Sequence, residues 1–249
     1  MCRSMWLSLF VAGSLAFWLT YPASADPSKN PEHKDKPLKP AAPPGKFPRA
    51  DIFSTQHAPK IDGVLDDKAW KGKRLKGAML NVYTSKVAKV QSRIYVTYDD
   101  KYLYIAFDLD EPQPAKMVAR QTDPVADHDG LVWEDDSVEI FLDPADGKKG
   151  PIYFHLMGNS KNVLYDAQVK DHTWESRTRL VAKVHKDRWT VEMAVPLSDL
   201  GVAKSPKGKT WLANFCRNRQ VTGETEDTSW SDVGEEFHRW ERYGHITFK

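Results

Sequence analysis

The sequence predicts an all-β protein, an antiparallel β-sandwich with few short helical turns. Three observations support this fold class. Short runs rich in β-branched and aromatic residues recur along residues 92–248, and polar turn residues separate them. Helical periodicity is almost absent, apart from turns predicted at residues 66–71 and 196–200. Many short strands without intervening helices are typical of two packed antiparallel sheets.

Two hairpins are the clearest local features. Residues 92–98 and 102–109 are strand-like runs separated by the polar turn 99–101. Asp187 and Arg188 occupy the turn of a second predicted hairpin. The two arms of this second hairpin are residues 180–186 and 189–195. The remaining runs predict further strands at residues 137–142, 152–158, 163–169, 212–218 and 244–248.

Residues 131–143 are the most informative stretch because they join an acidic loop carrying Trp133 to an alternating strand. An indole stacks on the apolar face of a pyranose, and a carboxylate such as Glu139 accepts hydrogen bonds from its hydroxyls. A buried Trp beside a solvated Glu is the alternative that this stretch leaves open. Alternation assigns Val138, Ile140 and Leu142 to the core face, and Ser137, Glu139, Phe141 and Asp143 to the other face.

Two long connections, residues 110–133 and 219–243, stand out against the short hairpins. Loops of that length in a compact domain are usually functional or disordered, and disordered linkers rarely carry Trp. Trp133 ends the first connection, while Trp230 and Trp240 lie in the second. If the two loops meet at one edge or face of the sandwich, two aromatic side chains flank a ligand there.

The first 25 residues predict a secretory signal. Arg3 precedes an apolar run, and small residues end the segment at Ala25, where we expect cleavage. The apolar run is too short for a membrane span, so we expect a secreted or periplasmic mature chain without a transmembrane anchor.

Residues 26–50 differ in composition, with many Pro and Lys residues and few large apolar side chains. Such a segment buries too little surface to order itself, which predicts an extended, disordered tether. Residues 51–249 are then one folded unit, the β-sandwich.

Charge and cysteine content restrict the function classes. The chain carries a net charge of +2, and its positive excess lies before residue 51, so the folded unit is slightly acidic. This argues against nucleic acid as a partner. Cleavage would remove Cys2 and leave Cys216, which excludes an internal disulfide in the mature chain. Cys216 lies in an apolar run and is interpreted as a buried small hydrophobe.

Four segments occur in an order that resembles the carbohydrate-binding module family 9, within the wider DOMON-like group of β-sandwiches. The resemblance covers nearly all of residues 56–249. Its most recognisable stretch is Trp-Glu-Asp-Asp-Ser-Val-Glu-Ile-Phe-Leu-Asp. The matching segments are residues 61–70, with Ile-Asp-Gly and a closing Trp, and residues 98–106, 133–143 and 228–231.

The resemblance implies a non-catalytic protein that binds a terminal sugar, in keeping with an accessory role in carbohydrate catabolism. It places Trp133 and Trp230 as the two stacking aromatics and Glu139 as the carboxylate that binds hydroxyls. His155 stands where sugar-binding members use an Arg, and a neutral imidazole offers fewer donors than a guanidinium. Independently of the resemblance, Arg217 and Asn218 end a strand beside the second long connection and are candidate hydroxyl donors.

A calcium site is a further expectation. Four carboxylates cluster around the first long connection, and calcium takes six to eight oxygen ligands. The resemblance also implies structural calcium in this region, and no organic cofactor is expected. The candidate ligands are Asp110, Asp127, Asp129 and Asp136.

Three alternatives remain open at this point. Glycoside hydrolysis needs two carboxyls about 5 to 9 Å apart, and the acidic run 134–136 with Glu139 could supply them. A haem or redox domain of the DOMON-like group could use His155 and Met157, which lie two apart on one strand and share a face. A β-sandwich interaction domain without a sugar site is the third.

Overall fold

The computed structural model describes residues 39–43, 45–221, 223 and 225–249, and confirms an antiparallel β-sandwich. Short 3-10 helices occur at Lys68–Trp70, Pro114–Lys116, Val132–Glu134 and Trp240–Arg242. The strands of this part of the chain are β1 (Arg49–Ile52), β2 (Leu80–Asn81), β3 (Ser92–Tyr98), β4 (Tyr102–Asp110), β5 (Ser137–Asp143), β6 (Phe154–Asn159), β7 (Leu164–Gln168), β8 (Arg179–Val184), β9 (Arg188–Pro196), β10 (Thr210–Arg219), β11 (Glu226–Ser229) and β12 (Gly244–Phe248).

Two sheets form the sandwich. The four-stranded sheet has the order β3-β4-β9-β8, and the eight-stranded sheet has the order β1-β12-β10-β5-β6-β7. Strand β11 pairs with the second half of β10 and carries β2 on its other edge. The strand pairs are antiparallel except for β1, which runs parallel to β12.

Every strand predicted from the sequence is present, and the turn at residues 66–71 contains a 3-10 helix. Three strands were not predicted. β11 reads Glu-Asp-Thr-Ser, which is polar and of low strand propensity, and β2 has two residues only. β1 lies across the predicted end of the tether.

The folded unit begins before residue 51. Ala41 packs against the core between the sheets, and Pro40 forms a bridge with Ala78. The prediction of a tether over residues 26–50 is therefore wrong for the described residues from 39 onward. The rest of that segment and the predicted signal at residues 1–25 lie outside the described residues. Among the residues that are described, no helix is long and apolar enough to cross a bilayer.

The main core fills the space between the two sheets. Val138, Ile140 and Leu142 contribute from β5, as the alternation predicts, and Trp189 and Trp211 are fully buried there. The opposite surface of the eight-stranded sheet, called the open face below, carries the alternate side chains. It includes Glu139 and Phe141 of β5, His155 and Met157 of β6, Tyr165 of β7, Cys216 and Asn218 of β10, and Asp227 of β11.

A buried carboxylate fixes the Ile-Asp-Gly segment to the outer surface of the four-stranded sheet. Glu192 Oε2 accepts hydrogen bonds from the backbone N–H groups of Asp62 and Gly63, at 3.0 and 2.7 Å. Its Oε1 accepts one from Trp70 Nε1 at 2.8 Å. Gly63 has a φ of +77°, and a Cβ there would lie 2.9 Å from the Cβ of Lys183. This segment thus has a structural role away from the open face.

Candidate functional site

Three polar side chains form the centre of the open face. Glu139 Oε2 lies 2.7 Å from His155 Nε2, and Glu139 Oε1 accepts a hydrogen bond from Asn218 Nδ2 at 2.6 Å. The same amide nitrogen also donates to Ser137 Oγ at 3.0 Å. Strand alternation brings these groups together, since β5 lies between β6 and β10. Glu139, His155 and Asn218 were all predicted as site residues, and the structure places them in one network.

Aromatic rings fix the orientation of His155. Its imidazole stacks on Phe141 with ring centroids 4.3 Å apart and planes inclined by 11°. Tyr165 packs against the same imidazole edge-on at 5.4 Å. His155 Nδ1 is buried and has no hydrogen-bond partner among the described residues. An imidazole held this way presents one fixed nitrogen to Glu139.

Trp133 lies at the margin of this network. Its indole is 42% exposed and packs edge-on against Tyr165 at 5.9 Å. The preceding Val132 is fully buried on the open face beside Met157, which fixes the position of the short 3-10 helix that carries Trp133. An exposed indole with a buried neighbour is a rigid apolar platform available to a ligand.

The acidic run after Trp133 organises the first long connection. Asp135 accepts hydrogen bonds from the backbone N–H groups of Arg120 and Gln121, and from Asn159 Nδ2. Asp136 accepts one from the N–H of Val118 at 2.7 Å, and burial raises its pKa to about 6. Both carboxylates bind backbone N–H groups. This disfavours their use as one of the two carboxyl groups that glycoside hydrolysis needs.

The second long connection covers another part of the open face. Tyr153 Oη lies 2.8 Å from His238 Nδ1, and the His238 ring packs edge-on against His155 at 5.0 Å. Burial lowers the pKa of His238 to about 4; nearby His155 lowers it further, while Glu139 opposes this effect. His238 is therefore neutral at physiological pH, and its Nδ1 shares a hydrogen bond with the Tyr153 hydroxyl.

Tyr83 and Asp227 lie on the other side of the polar centre. Tyr83 is 66% exposed and donates its hydroxyl to Asp227 Oδ2 at 3.0 Å. Asp227 is opposite Asn218 in the register of β10 and β11. Burial raises the pKa of the Asp227 carboxyl, and Glu139 raises it further, although Tyr83 opposes this shift. The pair adds a second exposed aromatic and a second carboxylate to the site.

Trp230 does not belong to this site, and its prediction as the second stacking residue is wrong. It is 2% exposed, packs edge-on against Phe215 at 5.7 Å and donates Nε1 to the carbonyl of Lys76. The physical reason is strand parity. The backbone of Trp230 continues the pairing of β11 with β10, which directs the indole toward the core between the sheets.

Arg217 is also excluded from the open face, and its prediction as a hydroxyl donor is wrong. It points between the sheets, is fully buried and donates to Glu111 Oε2 at 2.9 Å and to the carbonyl of Asp110 at 2.8 Å. Arg219 binds the same carboxylate through Nε at 2.8 Å. These contacts form a buried cluster that joins β10 to the end of β4.

The predicted calcium ligands do not come together. Asp110 pairs with Arg93 at 2.5 Å, whereas Asp127 accepts hydrogen bonds from two backbone N–H groups of its own turn. Asp136 is buried near Arg217 and Glu111, whereas Asp129 accepts a hydrogen bond from the backbone of Asp166 in β7. The four carboxylates do not fit one ion, and the prediction of calcium at this set is wrong.

The haem alternative has the predicted strand geometry, but its two candidate ligands are buried among other side chains. His155 and Met157 share the open face, as their spacing requires. However, His155 Nε2 is bound by Glu139, and Met157 is buried in a separate apolar cluster with Val132. His155 Nδ1 has no hydrogen-bond partner among the described residues, but Phe141, Tyr165 and His238 pack around the imidazole, which disfavours access by a porphyrin.

Sequence reasoning missed Tyr83, Asp227, Tyr153 and His238. The last two lie near residues that the sequence did single out, and their aromatic surroundings are a usable signal. Tyr83 and Asp227 depend on the pairing of β2 with β11, which no hydrophobic pattern indicates.

Solved structures similar to this one are carbohydrate-binding proteins by description. A family 9 module from Caldicellulosiruptor kristjanssonii in complex with cellotriose is 20% identical, with a TM-score of 0.59, over 81% of this chain and 93% of that chain. Its complex with glucose gives a TM-score of 0.57 at 20% identity, over 80% and 95%. A protein from Bacteroides uniformis, provisionally described as carbohydrate-binding, is 16% identical with a TM-score of 0.61, over 81% and 99%. At such identities, these likenesses show the fold.

The family comparison is more specific. No match was found among curated proteins. The model of the carbohydrate family 9 binding domain-like family matches residues 61–249, which is most of the chain. That range begins at the Ile-Asp-Gly segment and ends with β12, so it covers the open face and both long connections. The chain therefore belongs to the carbohydrate family 9 binding domain-like family.

Proposed function

We propose that the protein binds the end of a glycan on the open face, without catalysing a reaction. The observation that carries this proposal is the exposed Trp133 indole, which is joined through Tyr165 to the network of Glu139, His155 and Asn218. An aromatic platform next to a carboxylate and an amide is the combination that grips the apolar face and the hydroxyls of a sugar. Family membership supports the same ligand class. So do the structural relatives bound to cellotriose and glucose.

The two exposed aromatics suggest how a ligand lies. Trp133 contacts Tyr165 of β7, whereas Tyr83 contacts Asp227 of β11, and Glu139 is on β5 between them. β7 and β11 are four strand spacings apart, about 19 Å. Aromatic side chains that contact strands so far apart favour contacts with different sugar units over a clamp on one pyranose. An oligosaccharide end that crosses the strands would contact both, with Glu139 binding a hydroxyl in the middle.

A non-catalytic role agrees with what the carboxylates do. Asp135 and Asp136 are committed to backbone N–H groups, so neither is available as the second carboxyl of a hydrolytic pair with Glu139. A general acid or base must be within reach of the scissile bond and free to exchange its proton. The open face is thus equipped to recognise hydroxyls.

Calorimetric titration with glucose, cellobiose, cellotriose and a wider panel of mono- to trisaccharides tests the proposal. We expect longer saccharides to bind more tightly than monosaccharides, and both Trp133→Ala and Tyr83→Ala to weaken binding. Phe53→Ala is the matched control, because Phe53 is 51% exposed but packs near Lys73, away from the open face. If no saccharide binds, or if Trp133→Ala binds as tightly as the parent, the proposal is wrong.

We also propose that the protein is exported, with a signal segment removed near Ala25. An apolar run after Arg3 and small residues before the cleavage position support this. Intact mass measurement of the protein purified from its own cells tests it. An intact mass equal to that of the full chain, with residues 1–25 still present, would contradict the proposal.

A further inference from the structure

A group of four potential metal ligands lies at the free edge of β7. His128, Asp129, Asp166 and Glu175 each offer one ligand atom, and these atoms all lie within 4.8 Å of one another. They come from three segments: the first long connection, β7 itself and the chain between β7 and β8. β7 ends the eight-stranded sheet, so the group lies where the first connection meets this edge.

Backbone contacts hold two of the carboxylates in place before any ion binds. Asp129 Oδ1 accepts the N–H of Asp166 at 2.9 Å, and Asp166 Oδ2 accepts the N–H of Ser176 at 2.8 Å. Asp129 Oδ2 is 3.3 Å from His128 Nδ1, and Glu175 Oε2 is 4.0 Å from His128 Nε2. These backbone contacts use Asp129 Oδ1 and Asp166 Oδ2, which leaves Asp129 Oδ2 and Asp166 Oδ1 as the carboxylate oxygens that could bind an ion.

The buried Asp166 is the feature that hydrogen bonding within the chain does not explain. Its side chain is fully buried, and its Oδ1 has no hydrogen-bond partner in the described part of the chain. A buried carboxylate oxygen without a partner carries the full cost of desolvation. Burial raises the pKa of the Asp166 carboxyl and Asp129 raises it further, whereas hydrogen bonding with Ser176 and the nearby His128 oppose this shift. A cation at this position would remove both penalties.

The donor set selects among cations. Calcium takes six to eight oxygen ligands, and an imidazole is not among its usual donors. Zinc takes four ligands in a tetrahedron, from imidazole nitrogens and carboxylate oxygens at about 2.0 to 2.2 Å. Ligand atoms in such a shell are about 3.4 Å apart, so side-chain shifts of about 1 Å would close the group seen here. One imidazole with three carboxylates therefore favours a first-row transition metal.

We propose that His128, Asp129, Asp166 and Glu175 form a binding site for a divalent first-row transition metal of the zinc class. The ion fastens the first long connection to β7. Because Tyr165 of β7 contacts Trp133, the site also stabilises the position of the exposed indole. The site differs from the calcium ligands expected from the sequence in three of its four residues and in its donor chemistry.

Titration of the tag-free, chelator-treated full chain with zinc chloride tests the proposal. We expect one equivalent to bind, more tightly than calcium chloride or magnesium chloride does, and to raise the melting temperature. Cobalt chloride should give the visible absorption of a tetrahedral complex. His128→Gln and Glu175→Gln should each weaken zinc binding by about tenfold or more, since even outer-sphere partners contribute that much. Both side chains are partly exposed, so the metal-free variants should melt like the parent.

His57→Gln provides the matched control, because His57 is exposed and lies outside the group. This variant should bind zinc like the parent. Equal or tighter binding of calcium, or zinc binding that survives His128→Gln, would overturn the proposal. Loss of zinc binding in His57→Gln would assign the ion to a different site. None of these results depends on saccharide binding, so the metal site and the proposed function can fail separately.

Discussion

Glu139 and His155 form a direct pair on the open face, with Oε2 and Nε2 2.7 Å apart, in a position where both side chains are almost completely buried. The stack of His155 on Phe141 and the amide of Asn218 fix the carboxylate from two sides. A carboxylate oriented in advance loses little conformational entropy when a sugar hydroxyl binds. His155 thus orients Glu139, whereas an Arg at this position would offer several donors to the ligand itself.

Glu139→Gln should weaken saccharide binding by about tenfold to a hundredfold, because hydrogen bonds to a charged group contribute about 1.5 to 3 kcal/mol. Calorimetric titration with the saccharide that binds the parent most tightly measures the effect. Glu134→Gln is the control, since Glu134 is an exposed acid next to Trp133 whose side chain pairs with Arg120. Equal losses in both variants would mean that Glu139 has no specific role.

Replacing Trp133 and replacing Trp230 should lower the free energy of unfolding by different amounts, although the sequence predicted the same stacking role for both. Trp230→Ala removes a buried core side chain and should lower the free energy of unfolding by about 3 to 5 kcal/mol. Trp133→Ala removes a half-exposed side chain and should cost about 1 kcal/mol or less. Chemical denaturation of both variants measures the difference. A large loss of stability in Trp133→Ala would show that the indole has a structural role. Weaker saccharide binding by that variant could then not be attributed to a lost stacking contact.

Strand alternation accounts for how much of the site the sequence could predict. The period of two in residues 137–143 correctly separated the core residues of β5 from Glu139. The same rule places the neighbours Arg217 and Asn218 on opposite faces of β10, so they could not both line one site. Applying alternation to β10 would have excluded Arg217 before the structure was known.

What the sequence could not predict depends on pairing between distant strands. β11 is polar, so its strand character and its register beside β10 were hidden, and with them the burial of Trp230. Tyr83 and Asp227 are 144 positions apart and meet only because β2 pairs with β11. The buried partner of Arg217 is likewise distant in sequence, because Glu111 follows β4 of the other sheet. Such contacts follow from topology and leave no local pattern.

Glu111→Gln should be strongly destabilising. Its carboxylate is the partner of Arg217 and Arg219 inside the sandwich, and its neutral replacement leaves buried guanidinium groups without that charge. Breaking a buried pair in this way costs about 3 to 5 kcal/mol. Arg177→Gln is the contrast, because Arg177 is mostly exposed in its pair with Asp199, and such a pair contributes about 1 kcal/mol or less. Similar unfolding free energies for the two variants would contradict the role of the buried cluster.

His238 should make the fold sensitive to mild acid. Its pKa is lowered from 6.5 to about 4 in the folded protein, chiefly by burial, so the unfolded chain takes up a proton at a higher pH than the folded chain does. The free energy of unfolding should therefore fall as the pH drops from 6.5 toward 4, with no further loss from this group below that range. Melting temperatures across this interval should decline less in His238→Asn, whose amide oxygen can still accept a hydrogen bond from the Tyr153 hydroxyl.

The control variant His57→Asn changes an exposed histidine and should follow the parent. If His238→Asn and the parent decline in parallel, the imidazole of His238 is not the group that titrates, and the acid sensitivity arises from other groups.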